Sequence, residues 1–221
     1  MAVRGGDPAR AAACAAALSG RGLANFFGAQ RFGAAGRNAA VGKALLQGRA
    51  DDPEVRRAGR DRFLRRLSIS AWQAELFNAW LAERLADGLF ARALLGDVMK
   101  KLTTGGLFVC EDPEADTPRV ASFEISPAGP IFGHKLREAA GPSREREDRL
   151  LAASGMTAED LRRGGGEAEG TRRPARLPIA IALEPLPDGY RAVFDLPAGS
   201  YATVVLGELT KAEAALPEGG D

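Results

Sequence analysis

The chain has 221 residues, 45% of them hydrophobic, and carries 30 basic against 29 acidic side chains for a formal net charge of +1. That length and apolar content fit one large domain or two small ones with a real core, and exclude disorder throughout. The charge balance excludes a globally basic nucleic-acid binder, so any such surface must be local.

A single histidine, His134, leaves no multi-histidine metal site, and two separated cysteines, Cys14 and Cys110, argue against structural zinc. Both cysteines read as reduced core positions. No apolar run reaches membrane-spanning length and no signal-peptide pattern opens the chain. These features predict a soluble, cytoplasmic protein without metal or membrane association.

Asp7 followed by Pro8 predicts a helix start, with a carboxylate cap and a proline at the first helical position. This helix should run to about Leu18, where Gly20 and Gly22 stop it. Residues 25–33, NFFGAQRFG, follow, with two aromatics, an amide, a guanidinium and a third aromatic set between glycines that permit turns or close approach. A second helix is expected over 38–46. Residues 49–66 hold seven arginines against four acids. They read as a solvated helix face or, alternatively, as a surface pairing with RNA phosphates.

Ser70 and Gln73 have capping-box spacing, which predicts a helix start there and an end near Gly88. Trp72, Leu76 and Trp80 recur every four residues, broadened by Phe77, Leu81 and Leu85. The stripe reads as core, with a base-stacking platform as the alternative. Strands are expected at 107–110 and 119–125, separated by an acidic turn at 111–116. Residues 126–133, SPAGPIFG, read as a loop, since two prolines and two glycines interrupt them.

Helices are expected at 143–154 and 157–163, then a flexible glycine-rich stretch at 164–170 that lacks the Lys-Ser/Thr of a phosphate-binding loop. Tyr190, Ala192, Phe194 and Leu196 alternate as one face of a strand over 190–196. Residues 197–200 form a turn, Ser200 caps a helix through Leu209, and the tail 217–221 reads as frayed.

Six segments, in order, resemble motifs of the TruD family of tRNA pseudouridine synthases: NFFGAQRFG (25–33), SISAWQAELFN (68–78), GDVMKK (96–101), SPAGPIFG (126–133), TRRP (171–174) and LPAGSYATVVLGELTK (196–211). The resemblance implies cofactor-independent isomerisation of a D-arm uridine of tRNA (uridine-13 type) to pseudouridine. Such chemistry requires a target nucleotide out of its stack and an aromatic wall for the displaced base. It implies substrate-binding roles for Tyr201, Asn25, Gln30, Arg31 and Phe32. The residue-level alternatives are a core tyrosine beside a helix cap and a domain-junction loop. RNA-binding candidates are Arg56, Arg57, Arg60, Arg66, Arg172 and Arg173.

Departures accompany the likeness. The family's catalytic aspartate lies in a Gly-x-Lys-Asp segment upstream of the NFFGAQRFG-type motif, and neither that segment nor the Gly-Asn-x-Phe strand occurs in these 221 residues. Asp7 reads as a helix cap, so no catalytic residue is assigned. Gly207 stands where the family usually has arginine. The implied fold is α+β: a remnant of the pseudouridine synthase catalytic sheet domain (1–21 and 179–221) flanking an inserted mixed α/β TRUD domain (22–178). The strand at 190–196 is then expected to lack sheet neighbours and to expose unpaired backbone groups. Expected partners are tRNA and a separately encoded N-terminal half, with a chain inactive alone; the alternative is a non-catalytic RNA-binding module or a gene remnant.

Overall fold

A computed structural model describes residues 1–210. The expected frayed tail and Lys211 of the last motif lie outside the described residues. The chain divides into two compact units, one formed by residues 1–28 together with the segment from Arg176, the other by Ala29–Ala175.

In the first unit the N-terminal segment supplies β1 (Ala2–Arg4), α1 (Pro8–Arg21) and β2 (Leu23–Ala24). The second unit contains α2 (Arg37–Leu46), α3 (Pro53–Arg60), α4 (Arg62–Ala86), β3 (Val98–Lys101), β4 (Leu107–Val109), α5 (Pro113–Ala121), β5 (Ile125–Ile131), α6 (Gly141–Ala153), α7 (Ala158–Arg163) and β6 (Thr171–Pro174). The chain then returns to the first unit as β7 (Arg176–Leu177), β8 (Ile181–Leu186), β9 (Gly189–Phe194) and α8 (Ala202–Thr210).

The first unit is an antiparallel sheet of order β1-β9-β8 covered by α1 and α8. Asp7 caps α1 by accepting from the N–H groups of Ala9 and Arg10, and the helix runs past Gly20 to Arg21. Ala11, Ala15 and Leu18 of α1 meet Tyr190 and Ala192 of β9 and Val205 and Leu209 of α8. β9 is the middle strand, hydrogen-bonded to β1 on one edge and β8 on the other. This corrects the expectation of a strand without neighbours: the residues around 2–4 and 181–186 satisfy both rows of its backbone groups. The two points where the chain crosses between units are tied within the first unit by β2 pairing antiparallel with β7. Arg176 supports this junction from below α1, donating from Nε to Arg21 O at 2.5 Å.

The second unit places helices on a four-stranded antiparallel sheet of order β4-β3-β5-β6. The aromatic stripe is core, as its spacing predicts: Trp72, Leu76, Phe77, Trp80 and Leu81 of α4 are buried. Burial of such side chains supplies about 1.5–3 kcal/mol each. Two glycines set how closely the layers approach. A Cβ at Gly129 of β5 would lie 2.4 Å from Trp80 and 2.8 Å from Phe77, and one at Gly42 of α2 would lie 2.0 Å from the Ser68 carbonyl of α4. Bare backbone at both positions lets α4 pack directly on the sheet and α2 cross directly over α4.

Three local expectations are overturned. α4 begins at Arg62, not Ser70, because Asp61 accepts from the N–H groups of Phe63 and Leu64. Ser70 instead donates to Leu67 O within the helix at 2.9 Å, and Gln73 is buried, donating to Phe132 O at 2.7 Å. The acidic turn and the first residues of the expected strand at 119–125 form α5, capped by Asp112 with Pro113 at its first turn. The expected loop at 126–133 is mostly β5, one of the two inner strands of this sheet. β3 pairs with residues 125–127 and β6 with residues 128–131, so β5 changes partner along its length. Neither ladder needs every N–H, and Pro127 and Pro130 are accommodated. Cys110 is buried, and burial first, then Asp116, push its thiol up to about 12.

Candidate nucleic-acid interface

In the first unit, the segments after β2 and before α8 meet. Asn25 follows β2 and is 4% exposed; its Oδ1 accepts a long hydrogen bond of 3.5 Å from the Ser200 hydroxyl. Ser200 is not the simple helix cap that its position suggests. Its N–H closes a turn onto Pro197 O at 3.1 Å, while Tyr201, immediately before α8, accepts the Val204 N–H at 3.1 Å. The half-buried Tyr201 ring meets Phe27 edge-on, with centroids 5.7 Å apart and planes at 60°. Edge-to-face packing of this kind fixes both rings. The geometry therefore makes an aromatic corner, held by the buried Asn25 amide behind it.

The remaining motif residues belong to the second unit. Gln30 is exposed and Arg31 half-buried in a short 3-10 turn, Ala29–Arg31. Phe32 closes that turn through its N–H on Ala29 O at 2.9 Å, and its carbonyl accepts the Asn38 N–H at 3.1 Å. The motif is thus divided between units: residues 25–28 in one, 29–33 in the other. Arg31 lines a cleft of about 980 Å³ with Arg62, Phe63, Arg66 and Leu67 of α4.

The arginine candidates separate into distinct kinds. Arg57 and Arg60 of α3 and Arg66 of α4 are exposed and make no ion pair among the described residues. Arg56 is exposed but braces the preceding loop, donating from Nη1 to Ala50 O and Asp51 O, both at 2.9 Å. Arg173 lies over the Phe77 ring, 5.5 Å from its centroid.

Arg172 corrects an expectation. Its side chain is fully buried and bidentate to Glu147 at 2.5 and 2.9 Å, with further bonds to Ala128 O and Arg137 O. A guanidinium so committed in the interior has no fork left for a phosphate. Burial raises the Glu147 carboxyl above its ordinary range, opposed by the hydrogen bond and charge of Arg172. A second buried network lies beside it: Arg84 grips Asp97 through two hydrogen bonds, and the Ser143 hydroxyl donates to the same carboxylate at 2.8 Å.

Residue types alone assign no individual site role to Phe27, Arg62 or Phe63. The doubled aromatic before Gly28 was the available signal for Phe27. Phe63 lay hidden in a run dominated by charge. Among the described residues, no group of three or more His, Cys, Asp or Glu could hold a metal, and no helix is long and apolar enough to cross a membrane.

By class, this is an α+β protein built on the fold of a solved structure described as a putative tRNA pseudouridine synthase D from Methanosarcina mazei. The two align with a TM-score of 0.74 at 21% identity, over 94% of this chain and 66% of that one. The family model described as tRNA pseudouridine synthase D (TruD) matches residues 60–209, and the chain belongs to that family. A protein named tRNA pseudouridine synthase D from Anaeromyxobacter dehalogenans is 70% identical over 221 residues, all of this chain and 63% of that protein. One from Thermus thermophilus is 41% identical over 210 residues, 95% of this chain and 56% of that protein. The chain spans less than two thirds of the length of these relatives.

Proposed function

We propose that this chain is the substrate-gripping portion of a tRNA pseudouridine synthase, isomerising a D-arm uridine of uridine-13 type. The observation carrying this reading is the aromatic corner of Phe27 and Tyr201 backed by Asn25 and Ser200. It joins two family-like motifs from opposite ends of the described chain in one unit, as a wall for a displaced uracil requires. The relatives' names supply the reaction class. Asn25 positions the corner, Tyr201 offers its ring to the base, and the exposed Arg57, Arg60 and Arg66 pair with phosphates. In place of the expected bounds 22–178, the second unit, Ala29–Ala175, acts as the inserted TRUD domain, and the first unit belongs to the catalytic sheet domain.

The carboxylate that attacks the nucleotide comes, in this reading, from a polypeptide bearing the Gly-x-Lys-Asp segment. The test measures pseudouridine formation in tRNA with this chain alone and with such a polypeptide added. Product only in the completed mixture is expected; no product in either sinks the proposal. The exposed, unpaired arginines also favour a second reading, an RNA-binding module without catalysis. That reading predicts salt-dependent tRNA binding together with no product under any complementation.

A further inference from the structure

We propose that the cleft of the second unit is a site for an unpaired nucleotide, with Phe63 as its stacking platform and Arg62 and Arg66 as its phosphate clamps. The inference rests on the tRNA reading but concerns a different site from the Phe27–Tyr201 corner. Phe63 is 72% exposed and is the most exposed large hydrophobic side chain among the described residues; the other exposed ones, Met1, Leu95 and Val193, are not aromatic. Water contact over most of a phenyl ring is unfavourable, and the packing of the unit does not demand it. The ring is held at the mouth of the cleft by helix geometry. Phe63, Arg66, Leu67 and Ser70 follow the three- and four-residue spacing of one face of α4, and all line the cleft.

Charge selects the ligand. Arg62 and Arg66 stand one turn apart on either side of Phe63, exposed, with no ion pair among the described residues, while Arg31 contributes from the opposite segment. The acid in the lining, Glu167, is paired with Arg65 at 3.4 Å. Asp61 sits at the foot of the helix, accepting from the Phe63 and Leu64 N–H groups. The cleft therefore keeps a cationic surplus around an exposed ring, the combination that grips single-stranded nucleic acid by stacking and phosphate pairing. Its volume of about 980 Å³ admits a nucleotide. The lining is open at Gly166, where an added Cβ would meet nothing within 4 Å. A duplex cannot present a base face to Phe63 without unstacking, so the site discriminates for unpaired nucleotides.

The test measures binding of unmodified tRNA, a short single-stranded oligouridine and a duplex RNA of equal length to the full chain and its variants. Phe63→Ala is expected to weaken single-strand binding about ten-fold while sparing the duplex, with the salt dependence unchanged. The double variant R62Q/R66Q should flatten the salt dependence instead. Phe63→Trp should keep affinity and report contact directly by quenching of the new exposed indole, because native Trp72 and Trp80 are buried. Phe63 is solvent-exposed in the first turn of α4, where alanine is a better helix former, so loss of fold does not confuse the result. Wild-type tRNA binding with no effect of Phe63→Ala overturns this site alone. Equal losses on single strand and duplex, or a protein partner lost with Phe63→Ala while RNA binding is intact, overturn it as well. No tRNA binding by the wild type removes the tRNA reading and this site with it.

Discussion

Phe27 meets the Tyr201 ring edge-on at 5.7 Å, and the Ser200 hydroxyl beside it reaches back to Asn25. Residues that open the chain's strongest motif thus rest on residues near the start of its last one. The edge-to-face geometry aligns the positive rim of one ring with the negative face of the other. Tyr201→Leu keeps apolar bulk but removes that alignment, and should lower stability by about 0.5–1.5 kcal/mol in urea denaturation. Tyr201→Phe retains the ring and should stay within about 0.5 kcal/mol of wild type. In the completed enzyme, Tyr201→Leu should depress turnover of tRNA far more than Tyr201→Phe. Equal activity of the two would remove the uracil wall from this corner.

Gly129 offers a sharper packing test. Its missing Cβ leaves the space occupied by the Trp80 and Phe77 rings, with contacts of 2.4–2.8 Å if a methyl were added. Neither ring can move freely, since both side chains are buried in α4 against the sheet. Gly129→Ala should therefore cost about 1–3 kcal/mol by overpacking. Combined with Trp80→Leu, which vacates that volume, the added methyl should cost at least about 0.5 kcal/mol less than it does alone. Strict additivity would mean that the sheet, not the ring, absorbs the insertion.

The same region shows where sequence patterns were legible. Four-residue spacing identified the buried face of α4 because burial follows periodicity directly. Its start is not legible in the same way, because Ser70 and Gln73 have the right spacing for a cap. The competing signal, Asp61, stood in a charge-dense run that masked it. The prolines of β5 argued against a strand, and only the change of partner between β3 and β6 explains their tolerance. That is long-range information absent from any local window. Asp112-Pro113 was a helix start of the kind recognised at Asp7-Pro8, yet the acids around it suggested a turn. At the candidate site, motif likeness marked Asn25 and Tyr201, whereas burial decided that Arg172 belongs to the interior and Phe63 to the surface.

Arg172 and Arg66 should accordingly behave as opposites. Removing the guanidinium in Arg172→Leu leaves Glu147 buried without its partner, at a cost of about 3–5 kcal/mol. Replacing both members, as in R172L/E147L, should recover much of that loss. Arg66→Gln should change stability by no more than about 0.5 kcal/mol and reduce the salt slope of tRNA binding by about one. Denaturation and salt-titrated binding on the same samples separate the two roles. A stable Arg172→Leu protein with weakened tRNA binding would return Arg172 to the interface.

Acid sensitivity follows from carboxylates at element ends. Asp160 is held below its ordinary range chiefly by the Thr157 hydroxyl and N–H, with further help from Arg163. Arg119 does the same for Glu124, and Lys135 for Glu169. For each, the unfolded chain binds more protons than the folded one between the two pKa values, so stability rises with pH across that window. The contribution is present above the unfolded values, 3.8 for Asp160 and 4.5 for the glutamates, and is lost as pH falls through the depressed folded values. Glu147 has the opposite sign: its raised folded value gives a contribution present at low pH and lost as pH rises through it. Asp160→Asn cannot titrate and should flatten the acid limb of a plot of urea midpoint against pH while lowering its neutral plateau. Because the Asp160 side chain is only 14% exposed while its partner Arg163 is 42% exposed, added salt should shrink the difference between variant and wild type only in part. An acid limb unchanged in Asp160→Asn would show that the capping box at α7 contributes nothing to the pH dependence of folding.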